Sequence, residues 1–173
     1  MKEVLEILKY VLPSLVTFVT AWYLVKGFLE NDQKKRLLEI RLKTTELIHP
    51  VRLQAYERCL LLMERIAPGN LLLRASMPGS KAPDLHSYLI GTVRQEFDHN
   101  LSQQLYISKE AWELVRSAKE EVLRQLNSAL SHLPEDASGQ QLAELIVENS
   151  LKIKHPLTAK AIEQLKKEVA RQF

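Results

Sequence analysis

An all-α fold is what this sequence predicts: one N-terminal transmembrane helix continuing into a stalk, then a bundle of about five helices. Three observations carry that expectation. The stretch from Tyr10 to Val25 contains no charged residue. Beyond residue 30, apolar side chains recur at three- and four-residue intervals, the period of an amphipathic helix. No stretch alternates apolar and polar residues long enough to argue a strand. The chain therefore divides into a transmembrane anchor at 1–29, a helical stalk at 30–49 and a cytoplasmic α-helical domain at 50–173.

The anchor is short. Sixteen uncharged residues rise roughly 24 Å as a helix, against ~30 Å of bilayer hydrocarbon. Lys9 and Lys26 bound the run and can snorkel to the headgroups, while Leu5, Ile7, Leu8, Phe28 and Leu29 extend its apolar length. Tyr10, Trp22 and Tyr23 stand where an aromatic belt forms, and Pro13 falls near the start, where a missing N–H costs little. Two other readings compete. Val19, Thr20 and Ala21 resemble a signal-peptidase site, but Glu3 and Glu6 interrupt the basic region such a peptide needs. A buried core helix is the second alternative; the membrane reading is preferred to both. Lys26, Lys34, Lys35, Arg36, Arg41 and Lys43 follow the run, against Lys2 and Lys9 before it, which sends the C-terminal domain to the cytoplasm. The expected location is a cell inner membrane, crossed once. Ser14, Thr17 and Ala21 share one helical stripe that would let a second helix approach closely.

The stalk reads as a polar helix to about His49, with Leu37, Ile40, Thr44 and Leu47 at roughly heptad spacing and Pro50 marking a break or kink. A second helix is expected from Pro50 to Ala67, with Val51, Ala55, Cys59, Met63 and Ile66 in one stripe widened by Leu60, Leu61 and Leu62. Residues 68–83 hold three Pro and two Gly around Leu71, Leu72 and Leu73, and read as a long connection pinned by an apolar patch. The third helix begins near Asp84 as N-cap and carries Leu85, Leu89, Val93, Phe97 and Leu101. After a short connection over 104–107, Ser108 caps a fourth helix reaching about Leu133 with Trp112, Val115, Ala118, Val122, Leu126 and Ala129 inward. Ser138 and Gln141 form a capping box for a fifth helix, and a last one follows Pro156 with Ile162, Leu165 and Val169.

Arg52–Arg58, Asn70–Arg74 and Glu96–Tyr106 resemble the recurring blocks of a family of small uncharacterised bacterial proteins with one N-terminal transmembrane helix and a helical cytoplasmic domain. The resemblance extends over residues 1 to about 130 and implies the same layout. It implies no activity.

Composition excludes more than it selects. The net charge is +3, and +2 without the first 29 residues, below what a nucleic-acid binder presents, so no nucleic-acid partner is expected. Cys59 is the only cysteine, so no internal disulfide exists, and its apolar neighbours mark it as a core residue. Glu46 with His49 and Glu96 with His99 repeat the Glu-x-x-His spacing of di-metal helix bundles, with Glu57, Glu64 and Glu113 as further carboxylates. Seventeen Glu and five His produce such spacings by accident, so no metal, cofactor or catalytic residue is assigned. The run Arg52, Glu57, Arg58, Glu64 and Arg65 reads as a solvated face or, less simply, a partner surface. Tyr56 and Tyr106 are expected to pack in the core with the hydroxyl at its edge, and His86, His132 and His155 on the surface. Two functions follow as expectations: a membrane-anchored interaction or scaffold subunit of a bacterial inner-membrane assembly, with the lipid bilayer and a protein partner or second copy as its partners, or else a carboxylate-bridged di-metal bundle.

Overall fold

The computed structural model describes the backbone of residues 2–75, 77 and 79–172, and the side-chain surroundings of residues 14–40, 42–43, 46–75, 77 and 79–171. Six α-helices and one 3-10 helix make it up: α1 (Lys2–Ile66), α2 (Pro68–Arg74), α3 (Ala82–His99), the 3-10 helix (Leu101–Leu105), α4 (Lys109–Ser131), α5 (Gly139–Lys152) and α6 (Leu157–Gln172). Among the described residues there is no strand, only an isolated bridge between Lys81 and Ser138. The fold is all-α and its second part is a helical bundle.

By internal packing the chain divides into two compact units, Met1–His49 and Pro50–Phe173. The first consists of one helix. Its side chains from Ser14 to Asn31 are all exposed, the apolar ones included. Among the described residues no helix is long and apolar enough to cross a membrane. The run from Tyr10 to Val25 begins outside the residues whose side chains are described, as do Lys9 and Pro13.

The break expected at Pro50 does not occur. Helix α1 runs through that position without interruption. Proline there removes the bond its N–H would give to the Glu46 carbonyl, a cost of about 3 kcal/mol in a helix interior. Both Glu46 and Pro50 are exposed, so water can reach the freed carbonyl. From residue 51 onward α1 behaves as the sequence periodicity requires. Ala55, Cys59, Met63 and Ile66 are buried, and Leu62 and Tyr56 join them, whereas Val51 and Leu61 stay exposed.

The connection expected over 68–83 is shorter than its composition suggests. Pro68 ends α1 and also starts α2, because a helix's first turn has no intrahelical use for the missing N–H. Leu71 is buried beneath α2 and Leu72 packs half-buried on the core, but Leu73 points outward. The irregular segment that remains is tied to the α4–α5 connection. The Ala82 N–H donates to the Ala137 carbonyl (2.9 Å) and the Gly139 N–H to the Ser80 carbonyl (2.8 Å). Gly139 is required here: a Cβ would lie 2.7 Å from the Ser80 hydroxyl and 3.0 Å from its carbonyl oxygen.

Helix α3 starts two residues before the expected Asp84, with Lys81 at its N-cap and Pro83 in the first turn. Leu85, Leu89, Val93 and Phe97 are buried on one face, while Leu101 belongs to the exposed 3-10 helix. Helix α4 is central and packs on α3, α5 and α6. Ala111, Ala118 and Ala129 let neighbours approach between Trp112, Val115, Val122 and Leu126, all buried. Phe97 stacks on Trp112 with ring centroids 5.4 Å apart, and the Lys119 ammonium lies over the Phe97 ring, 4.4 Å from its centroid. Ser108 accepts from the Ala111 N–H, and Ser138 with Gln141 forms the reciprocal capping box. Helix α4 ends at Ser131, two residues before the expected Leu133.

Candidate functional site

Three elements of the Pro50–Phe173 unit converge on a half-open cleft of about 510 Å³. Helix α1 contributes Arg58 and Arg65, α2 contributes Arg74, and α3 contributes Tyr88, Glu96 and His99. Arg58, Arg74, Glu96 and His99 come from the three sequence blocks Arg52–Arg58, Asn70–Arg74 and Glu96–Tyr106, and Arg65 and Tyr88 lie between blocks. Local helix periodicity explains the α1 pair, since residues seven apart return to one face. It says nothing about Arg74, which reaches the cleft only because α2 folds back from Ala67.

Glu96 holds the cleft together. Its Oε1 accepts from Arg74 Nη2 at 2.8 Å, and Arg65 Nη1 donates to Oε2 at 3.2 Å. Its side chain is 15% exposed, against 53% and 46% for the two arginines. Burial pushes the Glu96 carboxyl up, but the hydrogen bonds and charges of Arg74 and Arg65 outweigh it and hold the group below the usual carboxylate range. Arg58 makes no ion pair among the described residues. Two guanidiniums thus hold one carboxylate, and a third lines the same cleft. The His99 ring meets the Gln95 carbonyl through Nδ1 at 2.9 Å; a carbonyl only accepts, so Nδ1 carries the proton and Nε2 is left open. The cleft lining carries three arginines and one glutamate, and among the described residues it holds no paired base and nucleophile.

A second polar cluster lies in the core. Glu168 on α6, only 8% exposed, accepts through Oε1 from Ser108 Oγ (2.6 Å) and Gln164 Nε2 (2.8 Å) and through Oε2 from the buried Tyr56 hydroxyl (2.9 Å). Burial raises this carboxyl, and the three side-chain donors together with the Ser108 backbone more than offset it, leaving its pKa lowered. The cluster joins α1, α6 and the start of α4. Sequence reading located Tyr56 and Ser108 but missed Glu168. A signal was present: Thr158, Ala161, Leu165 and Glu168 are the buried positions of α6, at helical spacing, and an acid on a core face requires donors.

The other candidate residues are placed as follows. Glu96 and His99 share the cleft, but two arginines occupy the Glu96 carboxylate. Glu46, Glu57 and Glu64 are exposed, His49 is half-buried, and Glu113 pairs with Arg116. Among the described residues no group of three or more His, Cys, Asp or Glu side chains could hold a metal ion. The charged run on α1 bonds across elements instead of along its own helix: Arg52 donates to the Tyr106 carbonyl (3.1 Å), and Arg65 to Glu96. Cys59 is fully buried, and burial pushes its thiol up to about 11. Tyr106 is exposed, against the expectation that it packs in the core; His132, bonded to the Ser128 carbonyl, is exposed, and His86, bonded to Asn127, is half-buried. Leu73, Val147 and Leu151 line an open apolar groove between α2 and α5, with Glu144 and Glu148 beside it.

The chain belongs to the family of unknown function DUF7935, whose profile matches residues 2–172. No match was found among curated proteins or among solved structures.

Proposed function

We propose that this chain is a single-pass, membrane-anchored helical interaction subunit, with the Pro50–Phe173 unit on the cytoplasmic side of a bacterial inner membrane. The observation that supports this reading is the surface of α1. Ten large apolar side chains between Leu15 and Leu29 are each at least 54% exposed. An all-round apolar helix surface is unfavourable in water and ordinary in lipid or against other helices. Lys26 near the end of that surface and the basic residues of 34–43 after it set the direction of crossing. The absence of a paired nucleophile and base in the arginine cleft favours docking over turnover as the role of the bundle.

The test is a fusion pair on the full chain in a bacterial host. A C-terminal fluorescent protein should glow, a C-terminal alkaline phosphatase should stay inactive, and the chain should stay in the membrane pellet after alkaline carbonate washing. Release into the wash overturns the anchor, and an active phosphatase overturns the orientation. Mild-detergent purification with cross-linking then tests the interaction role: a strictly monomeric species with no reproducible partner counts against it.

A further inference from the structure

The cleft described above carries more positive charge than its own architecture requires. One carboxylate is neutralised by one guanidinium, yet Glu96 receives two, and Arg58 lines the same cleft with no ion pair among the described residues. The formal balance of Arg58, Arg65, Arg74 and Glu96 is +2. Concentrating like charges around a half-buried site opposes folding unless an anion occupies it. A phosphomonoester carries about −1.5 to −2 at pH 7 and offers three acceptor oxygens, which matches both the charge and the forked donors of arginine. A single carboxylate would leave half the charge uncompensated. The volume of about 510 Å³ exceeds what a bare phosphate fills. Tyr88 and Leu61 supply an aromatic and apolar wall for whatever the phosphate is attached to.

We propose that the cleft formed by Arg58, Arg65 and Arg74 around Glu96 binds a phosphomonoester bearing an apolar or aromatic group. Arg58 supplies the free charge, Arg65 and Arg74 use donors that Glu96 does not take, and His99 Nε2 accepts from a protonated phosphate oxygen or a neighbouring hydroxyl. The site does not depend on the membrane reading. Its ligand could be a soluble ester or the headgroup of a phosphatidic acid, which share this chemistry.

Calorimetric titration of the full chain in zwitterionic detergent tests the proposal, with phenyl phosphate as probe and inorganic phosphate and succinate as comparisons. Saturable binding of phenyl phosphate with Kd below about 1 mM is expected, tighter than either comparison. Arg58→Gln should weaken it about tenfold, Arg58→Lys less, and Arg124→Gln, which lies outside the cleft, not at all. Arg58 breaks no ion pair when replaced, so an unchanged thermal melt shows that the fold is kept. Should the variant melt early, protection of the α3 amides from hydrogen exchange by phenyl phosphate in the unaltered chain decides the matter. In nanodiscs, loss of the phenyl phosphate response on adding phosphatidic acid identifies the lipid as the source, and an unaltered response identifies a soluble ester. No saturable binding, succinate binding as tight as phenyl phosphate, or indifference to Arg58→Gln overturns the proposal.

Discussion

Replacing Glu168 by Gln removes one negative charge from the core and leaves the side-chain shape intact. The structure sets the size of the effect. Glu168 Oε1 serves Ser108 and Gln164 and Oε2 serves Tyr56, at 2.6, 2.8 and 2.9 Å. An amide placed with its oxygen at the first position keeps two acceptances, and the Tyr56 hydroxyl can turn to accept from the new NH₂. What is lost is the charge assistance on three bonds, since a bond to an ionised acceptor is worth about 1.5–3 kcal/mol against about 1 for a neutral one. Relief of the buried charge offsets part of that, so Glu168→Gln should cost about 2 kcal/mol. Glu168→Ala removes the carboxylate that Ser108, Gln164 and Tyr56 share and opens a void, and should cost about 4 kcal/mol.

The sign of the pH dependence follows from the lowered pKa of Glu168. A group depressed on folding contributes stability that is fully present above its unfolded value of about 4.3, and loses it as pH falls through the folded value. The difference between the native chain and Glu168→Gln should therefore be flat from pH 7 to about 5.5 and shrink below about 4.3. Glu96 titrates in the same direction, but it is common to both proteins and cancels in the difference. Urea unfolding followed by Trp112 fluorescence measures it, in a Trp22→Phe background so that the one remaining tryptophan reports from the Phe97 stack. Equal stability at pH 7, or a difference that widens on acidification, would refute the claim that Glu168 is an ionised acceptor holding α1, α4 and α6 together.

Two further outcomes follow from single residues. Gly139→Ala should destabilise by about 1–2 kcal/mol, because its Cβ meets Ser80 at both the hydroxyl and the carbonyl, and turning the hydroxyl away forfeits its 2.9 Å bond to the Met77 carbonyl. A raised melting temperature would show that the helix-propensity gain of alanine prevails. Cys59, buried and pushed up to about 11, should resist iodoacetamide at pH 8 in the folded chain and react within minutes in denaturant; prompt native labelling would place it at the surface.

Much of the fold could be read from residue order because it depends on neighbours within one turn. The inward faces of α3 and α4, the Ser108 cap and the Ser138–Gln141 box are set by spacings of three and four residues, and the structure has them where those spacings require. Proline was read less well. At Pro50 the rule states a cost without saying what offsets it, and at Pro68 the residue that stops one helix also starts the next. The polar sites were not legible in this way. Arg58, Arg74 and Glu96 are separated by sixteen and twenty-two positions, and Tyr56 and Glu168 by 112. The sequence by itself determined the helices from α3 to α6, their buried stripes, and the charge-free run from Tyr10 to Val25 within α1. Tertiary packing alone decided which charges meet, since a carboxylate takes its pKa and its partners from whichever helix lies against it.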